Sequence, residues 1–157
     1  MNELIVRTAV KNDLHVLLKF EQALIEAERA FDPTIRTGDD VRYYDLEWLI
    51  ESADAEIVVA EFDGETVGSG YAFIQASKAY LQHRFNSYLG FMYVVPEHRG
   101  KGVNKQILDV LETWSAARGV TEMQLEVYLQ NAGAIRAYDK AGYTGNVLQM
   151  RKGLNEK

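Results

Sequence analysis

The sequence predicts a single mixed α/β domain over residues 1–157, and three observations lead to this fold class. A chain of 157 residues has room for one sizeable hydrophobic core. Stretches rich in β-branched residues predict strands, and other stretches repeat their apolar residues at helical spacing. Glycine, proline and polar residues separate these stretches, which follow one another in the order β-α-α-β-β-β-α-β-α-β.

The chain begins with a predicted strand and a long helix. Residues 4–8 are rich in β-branched residues and predict the strand. Apolar residues then recur at helical spacing to about residue 29, which predicts a helix, and Asn12 or Asp13 can cap its start. Residues 31–38 contain a proline and a glycine and predict a loop.

A second helix and a hairpin come next. Residues 39–52 are amphipathic and acidic, so we expect a helix with one solvated face. Residues 56–62 predict a strand, and Asp63-Gly64 supplies the residue types that a tight turn needs at positive φ. The returning strand is expected over residues 66–76.

The second half of the chain alternates strands with helices. A strand is predicted over residues 88–95 and a helix over residues 102–118. A strand over residues 122–129, a short helix over residues 132–140 and a last strand over residues 143–151 complete the domain.

Composition excludes several classes of protein. Cysteine is absent, which excludes disulfides, thiolate metal sites and a cysteine acyl-enzyme. The net charge of −6 argues against a nucleic-acid partner, and no apolar run is long enough to span a membrane. The first residues lack the pattern of a signal peptide, so we expect a cytoplasmic protein. No metal-binding motif is present either, because the three histidines are scattered.

Negative charge is concentrated in residues 21–56, which we call the acidic segment. It holds eleven acids and three arginines, a net charge of −8. Such a segment attracts cations, and Phe31, Tyr43, Tyr44 and Trp48 can add apolar or cation–π contacts. Both a site for a cationic amine and an ordinary solvated helical face are compatible with this pattern.

Residues 93–105 carry the first chemical motif, in which a strand ends, a glycine-bearing turn follows and a helix begins. This arrangement exposes backbone N–H groups to an anion, and Arg99 and Lys101 add positive charge. The nucleotide-triphosphate loop does not fit, because Val95 stands where it needs a glycine and Gly102 where it needs serine or threonine. The dinucleotide fingerprint is also missing, since Gly68-Ser69-Gly70 lies inside a predicted strand and Phe73 takes the place of the third glycine. An ordinary turn with surface bases remains the alternative.

A second motif makes the pattern specific. Arg99-x-x-Gly102-x-Asn104 is followed by Asn131-x-x-Ala134-Ile135-x-x-Tyr138-x-x-x-Gly142-Tyr143. In this order and spacing the two motifs resemble those of the GNAT superfamily of N-acetyltransferases. The resemblance is specific from about residue 88 to residue 143. It implies a mixed, mostly antiparallel sheet, with acetyl-CoA bound between a splayed pair of parallel strands and the loop that precedes the third helix.

The resemblance also assigns the acetyl-CoA site residue by residue. The strand backbone is expected to pair with the pantetheine arm, the loop to wrap the pyrophosphate, and Asn131 and Tyr138 to approach the cofactor from the far side. The implied cofactor residues are Met92, Tyr93, Val94, Arg99, Gly100, Lys101, Gly102, Val103, Asn104, Lys105, Asn131 and Tyr138.

Two residues are implied to act on protons. Tyr138 corresponds to the tyrosine that protonates the departing thiolate, and Glu126 to the general base of the ribosomal-protein and N-terminal acetyltransferases. The alternatives are packing of Tyr138 against Ile135 and Ala134, and a surface role for Glu126. Direct attack of a primary amine on acetyl-CoA is the expected reaction, because a cysteine intermediate is excluded.

Two departures from the family pattern keep an alternative function open. Asn104 occupies the place of the last small residue in the loop, and the strand before the loop carries no acid. A non-catalytic acyl-CoA-binding or regulatory module is therefore the second candidate. Relatives commonly form homodimers, although no residue of this sequence decides the oligomeric state.

Overall fold

The structure, a computed structural model, describes residues 3–155. The outermost residues of the predicted domain, 1–2 and 156–157, lie outside the described residues. The described chain divides into two compact units, one ending at Glu126 and the other beginning at Val127. The first unit contains the sheet and three helices, and the second contains one helix.

A five-stranded sheet forms the first unit, with its strands in chain order from one edge to the other. The strands are β1 (Leu4–Thr8), β2 (Ala55–Phe62), β3 (Glu65–Ala76), β4 (Phe85–Val94) and β5 (Met123–Gln124). The first three neighbouring pairs are antiparallel, whereas β4 and β5 are parallel. The predicted fold class, a mixed and mostly antiparallel α/β sheet, is confirmed.

Four α-helices accompany the strands in the described residues: α1 (Leu14–Glu28), α2 (Leu46–Glu51), α3 (Val103–Ala117) and α4 (Ala132–Lys140). Short 3₁₀ turns, Lys11–Asp13 and Pro96–His98, precede α1 and follow β4. No helix in this part of the chain combines the length and the apolar composition that crossing a bilayer requires.

The two faces of the sheet are covered by different helices. Leu17 of α1 and Leu46 of α2 pack in one buried cluster with Tyr71 of β3. The adjacent Gly70 points to the opposite face, because successive strand residues alternate. A Cβ at Gly70 would lie only 2.7 Å from Cγ2 of Ile107, so α3 packs directly on the strand backbone there.

The second predicted helix is wrong in its first half, because α2 begins at Leu46 rather than near residue 39. The cause is a tertiary contact. The backbone N–H groups of Tyr43 and Tyr44 donate to the buried carboxylate of Glu21, at 2.6 and 2.8 Å. They are therefore not available for the hydrogen bonds of a helix. Asp45 then caps α2 by accepting a bond from the Trp48 N–H.

The last two predicted strands are also corrected. The strand expected over residues 122–129 is ordered as β5 for two residues only, and residues 143–151 contain no strand. A strand requires a ladder partner, and the ladder pairs of residues 3–155 include none with residues 143–151. The β-branched and apolar pattern shows that these residues are of types that favour strands, but it does not show whether a partner strand lies beside them.

Candidate active site

The parallel strands β4 and β5 separate soon after they meet. Their ladder consists of Ser87 with Met123 and Tyr88 with Gln124. Beyond Tyr88, β4 continues to Val94, and the described residues give this stretch a ladder partner only on the β3 side. The backbone of residues 92–94, predicted to pair with pantetheine, therefore has one edge without a strand neighbour.

An irregularity in β4 marks the start of this free edge. Ser69 pairs with Tyr93 and Tyr71 pairs with Gly90, so one residue of β3 faces two residues of β4. Phe91 takes the extra place with a φ of 56°, in the left-handed region that non-glycine residues rarely adopt. The Ser69 hydroxyl donates to the Phe91 carbonyl at 3.0 Å, which supports the distorted backbone.

The turn between β4 and α3 has the backbone of an anion site. Gly100 and Gly102 have φ values of 76° and 83°, which favour glycine strongly. A Cβ at either glycine would meet no atom within 4 Å, so the turn is open on that side. Gly102 also caps α3, and the first N–H groups of a helix have no carbonyl partner within it. These donors and the helix dipole favour a negatively charged group.

The three basic side chains of the turn differ in their contacts. Arg99 donates from Nε to the Val94 carbonyl at 2.8 Å, and its guanidinium lies 5.6 Å from the Tyr93 ring centroid. It therefore ties the turn to the end of β4. Lys105 forms an ion pair with Asp109 one helical turn later, at 2.9 Å, whereas Lys101 is exposed.

Seven aromatic side chains from residues 43–48 and from strands β3 and β4 adjoin one another, and we call them the aromatic cluster. Neighbouring ring centroids are 4.8 to 6.2 Å apart. The members are Tyr43, Tyr44, Trp48, Tyr71, Phe73, Tyr88 and Phe91. Burial raises the pKa of Tyr71 to about 12 and raises that of Tyr44 further. Both phenols are therefore neutral at physiological pH.

A cavity of about 500 Å³ lies beside this cluster, between the start of α1 and the chain leading into α2. Leu14 and Leu18 form its apolar side, and residues 42–47 form the other. Two acids, Asp45 and Glu47, and one base, Arg42, line it. The cavity is thus lined mostly by residues of the acidic segment and has both polar and apolar walls.

Glu126 accepts a hydrogen bond from the Tyr88 hydroxyl at 3.2 Å. It is exposed, and it lies two residues beyond Gln124, the last residue of β5. Burial raises the pKa of Tyr88 well above its ordinary value, and the negative charge of Glu126 raises it further. The phenol therefore stays protonated and donates, which fixes one oxygen of the carboxylate at the point where β4 and β5 separate.

The second unit holds the remaining predicted site residues. Asn131 caps α4, with its side-chain oxygen accepting a bond from the Ala134 N–H at 3.2 Å. Tyr138 lies in the last part of α4, and its ring contacts that of Tyr143, with centroids 6.0 Å apart. The helix ends with Gly142 at a φ of 97°. The spacing of the second motif therefore matches a helix that is capped by Asn131 and followed by a left-handed glycine, Gly142.

The family comparison agrees with this geometry. The model of the acetyltransferase (GNAT) family matches residues 21–143, which include the acidic segment, the glycine turn and α4. The chain belongs to this family. Among curated proteins, the uncharacterized N-acetyltransferase YobR of Bacillus subtilis (strain 168) is 38% identical over 56 residues. That match covers 36% of this chain and 23% of YobR.

Solved structures show that the GNAT fold extends over nearly the whole chain. A mutant of the BH1408 protein from Bacillus halodurans has a TM-score of 0.87 and 17% identity, covering 96% of this chain and 99% of its own. The aminoglycoside N-acetyltransferase AAC(6')-Iy, in complex with CoA, has a TM-score of 0.71 and 21% identity, covering 97% and 96%. A predicted acetyltransferase from Clostridium acetobutylicum, with acetyl-CoA, has a TM-score of 0.75 and 17% identity, covering 96% of each chain.

Sequence reasoning missed one residue of the candidate site, Tyr88. Tyr88 belongs to the strand before the loop, which carries no acid, and its hydroxyl donates a hydrogen bond to Glu126. The sequence holds no local signal for this bond, because it depends on the parallel register that brings Tyr88, at the last ladder pair, near the residues that follow β5. β4 thus carries no acid of its own, but its Tyr88 bonds an acid that follows β5 in the chain.

Proposed function

We propose that this chain is an acetyl-CoA-dependent N-acetyltransferase that transfers the acetyl group directly to a primary amine. In this proposal residues 1–157 act as one catalytic domain, working in the cytoplasm. The observation that carries it is the open turn with two left-handed glycines, located where β4 continues past β5 and α3 begins. Membership of the GNAT family and the CoA-bound relatives of the same fold support the choice of cofactor.

Acetyl-CoA supplies an activated thioester, and the residues of the chain bind and orient it. We assign the pantetheine arm to the backbone of residues 92–94, which has a free strand edge. The turn from Arg99 to Lys105 would hold the pyrophosphate through backbone N–H groups and the dipole of α3. Asn131 and Tyr138 are assigned to the cofactor from the family motif.

The proposed transfer needs two proton movements. The amine nitrogen forms a bond to the acetyl carbon, the carbon–sulfur bond breaks, and the electron pair leaves with sulfur. Glu126 accepts the proton that the amine loses, directly or through a water, with its orientation held by Tyr88. Tyr138 donates a proton to the departing thiolate.

The acceptor proposed here is a cationic amine. Support comes from the net charge of −8 in the acidic segment, and from the exposed ring of Trp48 within it, which can contact a cation. A relative of the same fold is an aminoglycoside N-acetyltransferase, and aminoglycosides are polycationic amines. The mixed cavity lined by Asp45 and Glu47 offers room for such a molecule.

A panel of amines tests the function. With acetyl-CoA present, we expect free thiol to be released with primary amines, and kcat/KM to be highest for those with a second positive charge. Neutral amides and alcohols of the same size are the matched negative controls. Tight binding of acetyl-CoA without thiol release for any amine would identify a non-catalytic acyl-CoA-binding module instead.

Replacing Glu126 by Gln is expected to lower kcat at neutral pH by about 10²-fold, within the usual range for a positioned base. The rate should recover as pH rises, because an alkyl amine with a pKa near about 10 then loses its proton to solvent. Glu122→Gln is the control, since it removes the same charge from another exposed residue four positions earlier. A Glu126→Gln profile that follows the parent at every pH would exclude Glu126 as the base.

A further inference from the structure

Ser69 of β3 has a fully buried hydroxyl that bonds the distorted part of β4. The hydroxyl donates to the carbonyl of Phe91, which is itself buried. The ladder pairs of residues 3–155 include neither Phe91 nor Met92, so the bulge leaves that carbonyl without a ladder bond. A buried carbonyl that has no donor costs stability, and Ser69 supplies the donor at 3.0 Å.

This bond also fixes the direction of the peptide group that joins Phe91 to Met92. The described chain contains no cis peptide bond, and in a trans peptide the N–H points opposite to the C=O. Because the Phe91 carbonyl is turned towards β3, the Met92 N–H points away from β3. On that side, β4 has no strand neighbour beyond Tyr88 among the described residues. Met92 therefore presents its N–H at the edge that we assign to the pantetheine arm.

Packing holds the bulge in place independently of Ser69. The Phe91 ring belongs to the buried cluster that contains Leu17 of α1. The Met92 side chain lies on the opposite face, because a Cβ at Gly70 would be only 2.7 Å from the Met92 Sδ and from Ile107 of α3. Loss of the Ser69 hydroxyl would leave these side chains packed but release the peptide group between them. In the rotated peptide the Phe91 carbonyl would face the free edge and repel a carbonyl oxygen of the cofactor.

We propose that Ser69 is a positioning residue for acetyl-CoA, which directs the Met92 N–H towards a carbonyl oxygen of the pantetheine arm by holding the Phe91 carbonyl. This inference rests on the proposed function. Because Ser69 is fully buried, it acts through the peptide group and not by contact with the cofactor. The pyrophosphate is assigned to the turn from Arg99 to Lys105, so its binding should not depend on Ser69.

The test measures the affinity of Ser69→Ala for two ligands by calorimetric titration. Acetyl-CoA would use both the strand edge and the turn, whereas ADP has a pyrophosphate but no pantetheine. Affinity for acetyl-CoA is expected to fall by about tenfold, because a buried hydrogen bond that orients the donor is lost. Affinity for ADP should equal the parent value, which also shows that the variant is folded. KM for acetyl-CoA should rise by about tenfold, while KM for the amine stays within about twofold.

Two further variants are the controls. Ser87→Ala removes another fully buried hydroxyl, one of β4 that has no hydrogen-bond partner within residues 3–155, so both affinities should stay at the parent values. Ser69→Cys fills similar space but donates only weakly, so it should also lose affinity for acetyl-CoA.

Four results would overturn the inference: an unchanged affinity for acetyl-CoA in Ser69→Ala, an equal loss of affinity for ADP, an equal loss in Ser87→Ala, or a parent-like affinity in Ser69→Cys. A parent protein that binds neither acetyl-CoA nor ADP would instead refute the proposed function.

Discussion

Replacing Tyr138 by Phe is expected to lower kcat by about 10²–10⁴-fold, the usual contribution of a positioned acid or base. The change removes one hydroxyl and keeps the ring, so the contact with Tyr143 is preserved. Affinity for acetyl-CoA should therefore stay near the parent value. Steady-state kinetics with a saturating amine, together with calorimetric titration of the cofactor, measures both quantities.

A tyrosine on the same small unit provides the control for Tyr138. Tyr143→Phe also removes one hydroxyl and keeps a ring in the same aromatic pair, so kcat should be nearly unchanged. High pH should not rescue Tyr138→Phe, because raising the pH cannot supply a proton to the thiolate. The absence of rescue at high pH distinguishes Tyr138→Phe from Glu126→Gln. A Tyr138→Phe variant that keeps more than about half of the parent rate would mean that Tyr138 only packs.

Local pattern was sufficient for the elements whose contacts are local or repetitive. The bounds predicted for β1 and α4 agree with the structure, and those of α3 differ by one residue at each end. The start of α2 could not be predicted in the same way. It depends on Glu21, which lies more than twenty residues earlier and is fully buried although its residue type favours solvent. The helical spacing of apolar residues around α2 gives no information about this contact with Glu21.

The candidate site likewise combines features that the local sequence predicts with a contact that depends on the tertiary structure. The glycine turn and the bounds of α4 are local features, and the sequence predicts both at the residues where the structure has them. The bond between Tyr88 and Glu126 depends instead on the register of two parallel strands separated by a helix.

Replacing Gly102 by Val is expected to weaken acetyl-CoA binding by about 100-fold or more, equivalent to about 2.8 kcal/mol. A branched side chain would project into the open side of the turn, where no protein atom lies within 4 Å of the added Cβ. It would therefore block the approach of a phosphate to the backbone and to the start of α3. Calorimetric titration with acetyl-CoA gives the affinity, and thermal unfolding gives the stability.

The other end of α3 provides a closely matched control. Gly119 has a φ of 81° against 83° at Gly102, and a Cβ there would also meet no atom within 4 Å. Valine at either position carries a similar strain of about 1–2 kcal/mol, so the two variants should lose similar stability. Only Gly102→Val should lose the cofactor. Equal affinities in the two variants would mean that the pyrophosphate is not bound at the turn between β4 and α3.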